Sequence, residues 1–135
     1  MENISSIIKT SLAIIGGAAS YLLGGWSHLL GVLLFFVVLD YISGIVAATV
    51  NGELSSATGF KGIAKKVFIF ALVVVANMID MSLGNGNILK DATIFFYLAN
   101  ESISIIENAG RIGVDIPKSL ERAVEILKDK GEGNR

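Results

Sequence analysis

The sequence predicts an all-α protein: an integral membrane helical bundle of three to four transmembrane helices, followed by a short soluble C-terminal helix. Three observations point there. Of the 135 residues, 53% are hydrophobic and 17% charged, against roughly 45–50% apolar content in ordinary soluble domains. No Lys or Arg stands between Thr10 and Phe60. Within that stretch Leu29–Leu39 is apolar on every helical face, which suits lipid rather than a soluble core buried along one stripe.

The elements follow in order. Residues 1–110 form the membrane domain, with candidate spans at 4–23, 26–50, 67–83 and 92–108. The first span is only moderately apolar, because Gly16-Gly17-Ala18-Ala19-Ser20 occupies its second half, and Lys9 near its start can snorkel to headgroups. Its pattern also mimics a secretory signal peptide cleaved after Ala19 or Ser20, but the spans that follow favour a retained membrane segment. The second span, Trp26 to Val50, exceeds the roughly 20 residues a bilayer needs, and Trp26 and His28 suit an interfacial start.

Asn51–Lys66 reads as a short basic loop, with Gly52, Gly59 and Gly62 and three lysines against one Glu53. The third span, Val67 to Leu83, carries Asp80 close to its far end, which reads as interfacial. Gly84-Asn85-Gly86-Asn87 supplies a reversal, since Gly and Asn tolerate left-handed backbone angles. The fourth segment is amphipathic: Asn100, Glu101, Ser104, Glu107 and Asn108 fall on one side and Phe95, Phe96, Ala99, Ile103 and Ile106 opposite. It either lines a polar interior or lies on the membrane surface. Residues 111–135 form a C-terminal amphipathic helix and tail, with Leu120, Ala123, Val124 and Leu127 at helical spacing after Pro117, and Gly131 and Gly133 at its end.

Lys and Arg are enriched in short cytoplasmic loops. Lys61, Lys65 and Lys66 therefore place their loop inside and act as topology and lipid-headgroup residues. Residues 84–90 then fall outside and the C-terminus is cytoplasmic, provided the fourth segment spans.

The formal charge is −1 with no one-sided basic stripe, so no nucleic-acid partner is expected. With no cysteine and His28 as the one histidine, disulfides, thiol chemistry, a classical zinc site and a Ser-His-Asp triad are excluded. No acid and base pair sits on a rigid scaffold, so neither catalysis nor a cofactor is expected.

The chemistry-bearing candidates are polar residues at membrane depth. Asp40, with Ser43 and Gly44 one turn on, is a subunit contact or pore-facing acid, or else a carboxylate bonded within its own bundle. Asn100, Glu101 and Ser104 form the second polar set. A four-helix monomer is expected to have little room to hide Glu101, which points to an interior shared among subunits or a surface location. Gly44 with Ala48, and Gly16, Ser20 and Gly24 on the first span, have the four-residue small spacing of helix-packing seams, within the chain or between copies.

Three blocks carry a family resemblance: Leu39-Asp40-Tyr41-Ile42-Ser43-Gly44; Leu54-Ser55-Ser56 leading to Gly59-Phe60-Lys61-Gly62-Ile63-Ala64-Lys65-Lys66; and Asn100 to Gly110, reading NESISIIENAG. Gly113-Val114-Asp115-Ile116-Pro117 with Leu120 adds a fourth. The sequence resembles the bacteriophage and toxin-secretion holin family of Gram-positive bacteria and their phages, over about Gly31 to Leu127. The resemblance implies a multi-pass protein of the host cytoplasmic membrane. It oligomerises with itself and opens lesions that release an endolysin or a large toxin, partners it need not bind stably, so that the host cell lyses. The rival expectations are a small ion channel or transporter subunit using Asp40, and an antiholin or membrane scaffold.

Overall fold

The computed structural model describes residues 2–133, and the side chains of residues 3–126. It is all-helical: α1 (Glu2–Leu22), α2 (His28–Val50), α3 (Ser56–Leu83), α4 (Ile88–Ile112) and α5 (Lys118–Gly133). No strand occurs among the described residues. Three helices, α1, α2 and α3, are long and apolar enough to cross a membrane.

The helix ends follow from local chemistry. Ser27 starts α2 by accepting from the Leu30 N–H at 3.1 Å, and Ser55 starts α3 by accepting from the Thr58 N–H at 3.1 Å, so each satisfies an N–H that the helix cannot. That second cap corrects the basic loop expected over Asn51–Lys66. The link is only 51–55, and residues 56–66 form three further turns of α3 below the expected span at 67–83. Gly84 ends α3 in the left-handed region at φ 69°, where glycine meets no Cβ penalty.

α4 extends beyond the expected 92–108 at both ends and also past the expected boundary at 110. Asn87 makes no side-chain cap there. Instead Asp80, fully buried, accepts from the Leu89 N–H at 3.0 Å and the Lys90 N–H at 2.8 Å. A carboxylate of α3 thus caps α4, aided by the positive end of that helix's dipole. Asp80 is a tertiary cap, not a solvated interfacial acid.

The core is built from α2, α3 and α4. α4 packs extensively on α2 and also on α3, whereas α2 and α3 touch each other over a short stretch. The buried positions run at three-, four- and seven-residue steps: Leu30, Leu33, Val37, Asp40 and Ala47 on α2, Ile69, Val73, Ala76 and Asp80 on α3 with Asn77 beside them, and Lys90, Ile94, Glu101 and Asn108 on α4. A 3.5-residue repeat keeps a narrow seam facing its partners over several turns, the geometry of bundled helices. The middle of this seam is apolar, with Leu30, Leu33, Val37, Ile69, Val73 and Ile94 in contact, and Asp80 with Lys90 closes one end. The other end is polar.

α1 stands apart. It is exposed along its length except for half-buried Ser20 and meets the core at its C-terminal end, where Asn77 Nδ2 donates to the Leu22 carbonyl at 2.9 Å. Gly24 was expected on the same helical row as Gly16 and Ser20. It lies beyond the helix, at φ 76°, with Asn77 packed so closely that a Cβ would clash with its Oδ1. At the other end α5 bears on α4 and buries Val124, while the side chain of Leu127 lies outside the described residues.

Asp80→Ala should lower stability by about 2 kcal/mol, because two buried N–H groups lose a charged acceptor. Thermal unfolding in detergent, followed by the fluorescence of Trp26, the one tryptophan, measures this; an unchanged midpoint would remove the cap from the account.

Candidate functional site

The polar end of the seam is a single cluster. Glu101, Ser104 and Asn108 recur every three or four residues, so α4 presents all three on one face. α2 presents Asp40 and Ser43 toward them, and α3 brings Lys66 from the third side. Lys66 Nζ donates to Asp40 Oδ2 and, at 2.8 Å, to Glu101 Oε2. Ser104 Oγ donates to Asp40 Oδ1 at 2.6 Å, and Asn108 Nδ2 donates to the same oxygen at 2.9 Å and to Ser43 Oγ at 3.0 Å. Ser43 Oγ in turn donates to the Asp40 carbonyl at 3.0 Å.

Asp40 and Glu101 are 5% and 4% exposed, and the Lys66 side chain 20%. Burial at that level makes an unpaired charge costly, by several kcal/mol per ion. Each carboxyl group here has the lysine, and Asp40 has two further donors. Among the described residues no buried side-chain nitrogen or oxygen lacks a partner. The cluster is therefore closed, with two carboxyl groups sharing one ammonium.

A crevice of about 360 Å³ reaches it between α2 and the lower half of α3, past Tyr41, Gly44, Ala48, Gly59 and Gly62. Small side chains keep it open, and Tyr41 spans its wall by donating its hydroxyl to the Gly59 carbonyl at 3.4 Å. Arg111 and Glu53 pair at 2.8 Å at its mouth. Both are exposed, so water screens that contact.

The structure thus brings Asp40, Ser43, Glu101 and Ser104 together, lines the approach with Gly44 and Ala48, and leaves Asn100 exposed outside the cluster. It corrects two expectations. One chain does hide Glu101, because α4 sits between α2 and α3 with its polar stripe turned inward and Phe95 and Phe96 outward. Lys66 is also not a headgroup lysine. Lys61 and Lys65 are exposed, whereas Lys66 points into the bundle. Gly16 and Gly17 have no neighbour within 4 Å of an added Cβ, so packing within the chain does not explain them.

Comparison with known proteins adds an independent finding. The sequence pattern of the bacteriophage holin family matches residues 17–129. The chain belongs to the bacteriophage holin family. An uncharacterized protein of Halalkalibacterium halodurans is 48% identical over 128 residues, covering 91% of this chain and 95% of its own. One of Clostridium perfringens is 38% identical over 131 residues, covering 96% and 99%. A protein of Bacillus phage phi105 named probable holin is 34% identical over 115 residues, covering 85% and 84%. No solved structure matches. The holin match takes in α2, α3 and α4 whole, and with them every residue of the cluster.

Lys66→Met should destabilise the bundle by about 3–5 kcal/mol, because it leaves two buried carboxyl groups facing each other. Adding Asp40→Asn and Glu101→Gln should recover most of that loss. Unfolding in detergent compares the two proteins; equal stability of Lys66→Met and wild type would show that the lysine does not hold the helices.

Proposed function

We propose that this holin-family protein accumulates as a multi-pass protein of the host cytoplasmic membrane, assembles with itself and opens lesions that pass an endolysin or a large toxin, lysing the cell without catalysis of its own. The observation that carries the reading is the family match over the three core helices, together with the similarity to the phage protein named probable holin. In this topology the exposed Lys61 and Lys65 face the cytoplasm, residues 84–87 the outside, and α5 the cytoplasm.

The geometry supports a mechanism for the delay. A single chain satisfies its polar stripe internally through Lys66, so its outer surface is tolerable in lipid. In a large ring the α4 stripe can face water instead, and the charges that were held by each other become hydrated. Each chain must give up the Asp40–Lys66–Glu101 contacts before that surface appears, so lesions form only when many copies are close enough to share it. Collapse of the membrane potential adds drive, since about 2.3 kcal/mol per charge is available for each 100 mV.

The test is induced expression in a bacterium, with and without a cytoplasmic cell-wall hydrolase that has no export signal, while turbidity and membrane potential are followed. Abrupt, delayed lysis that needs the hydrolase is expected. Depolarisation with no hydrolase release would replace the reading by a small channel, and neither effect by an inhibitor or scaffold. Lys66→Met, compared at equal accumulation, should trigger earlier than wild type; an unchanged trigger time would detach the cluster from the delay.

A further inference from the structure

α1 is unexplained by the fold of one chain. Its sole charged residue between Asn3 and Leu22 is Lys9, which is exposed and makes no ion pair among the described residues. At 100° per residue, Ser6, Lys9, Ala13, Gly16, Gly17 and Ser20 fall within an arc of about 100°, while Ile4, Ile7, Ile14 and Ile15 occupy the opposite side. One face of α1 is thus small and hydroxylated with a lysine in it, and the other is suited to lipid. Among the described residues no part of its own chain covers the small face below half-buried Ser20.

The core offers the complementary groups. Its cluster sets two carboxyl groups against one ammonium, and the crevice to Asp40 is open and glycine-lined. The spacing along the two helices allows a matching level if a docked α1 runs parallel to α3. Leu22 is held beside Asn77, and from there Lys66 lies eleven residues down α3 while Lys9 lies thirteen residues down α1. At 1.5 Å per residue these are about 16 and 20 Å, within one helical turn. The Gly24–Gly25 junction, with φ 76° and 88° and Asn77 locked against Gly24, joins α1 to the core, and residues 3–19 of α1 are exposed. A neighbouring core is therefore the recipient.

We infer that α1 docks in the α2–α3 crevice of a second copy and inserts Lys9 as the second cation of the Asp40–Lys66–Glu101 cluster. This rests on the multi-pass reading, and it identifies a residue that one copy contributes to the site of another. A lysine embedded in a small-residue face is tolerated there because its carboxylate partner is already built.

The absence of native cysteine makes the test direct. Two copies of different tagged length are co-expressed, one carrying Ser6→Cys and the other Ile45→Cys in the crevice, and membranes are oxidised. The mixed dimer is expected. Its yield should fall about tenfold when Lys9→Leu is added to the first copy or Asp40→Asn to the second, the latter leaving the Lys66–Glu101 pair in place, and should return with Lys9→Arg. A mixed dimer indifferent to Lys9→Leu would assign Lys9 to headgroups and overturn the inference. So would an intramolecular disulfide in a single chain carrying both cysteines, or no mixed dimer. The gel reads docking without needing lysis, so hydrolase-dependent lysis with no crosslink would discard this docking and leave the lesion-forming reading standing.

Discussion

Lys66 reaches two carboxyl groups on two other helices, and this three-way contact is the constraint around which the core is arranged. Neither acid is tolerable alone at its depth of burial, so α2 and α4 must both face α3. α2 and α3 touch little elsewhere, which makes the shared ammonium and the α4 face the means by which they are joined. The hydroxyl and carboxamide of Ser104 and Asn108 complete the arrangement by occupying the second oxygen of Asp40. Apolar packing of Leu30, Leu33, Val73 and Ile94 then fills the middle of the same seam.

Such a core differs from a purely apolar one in what its separation exposes. In lipid, helices have no hydrophobic drive to associate, and packing and polar contacts decide the outcome. A cluster of this kind is a strong but exchangeable contact: its groups are stable against each other, stable against water, and unstable against hydrocarbon. On the proposed lesion-forming reading that ordering matters, because the same side chains would suit both a dispersed copy and a hydrated assembly, and only the passage between them would be unfavourable.

Much of this was legible in the sequence. The apolar run of α2, the turn at 84–87 and the amphipathic sides of α4 follow from composition and periodicity, and the holin resemblance rests on blocks that the family match also covers. The lower half of α3 is the exception, because its lysines and glycines resemble a loop. A finer signal was present: Gly59, Gly62, Lys66, Ile69, Val73, Ala76 and Asp80 keep steps of three and four, so the lysine shares the face that buries Ile69 and Val73. The partnership with Asp40 and Glu101, 26 and 35 residues distant, depends on how three helices meet and has no local trace. The same holds for Asp80, whose role as a cap exists only once α4 begins beside it.

The inward turn of the α4 stripe also bears on how the chain is made. α4 is not among the helices that are long and apolar enough to cross a membrane on their own account, since Glu101, Ser104 and Asn108 weigh against partitioning. Those residues lose their penalty only where Asp40 and Lys66 are already in place. On the multi-pass topology, then, biogenesis has an order: α2 and α3 enter by hydrophobicity, and α4 enters by folding onto them. Insertion of the last helix and completion of the tertiary structure are one event, and a newly synthesised chain with α4 still outside is a distinct, immature species.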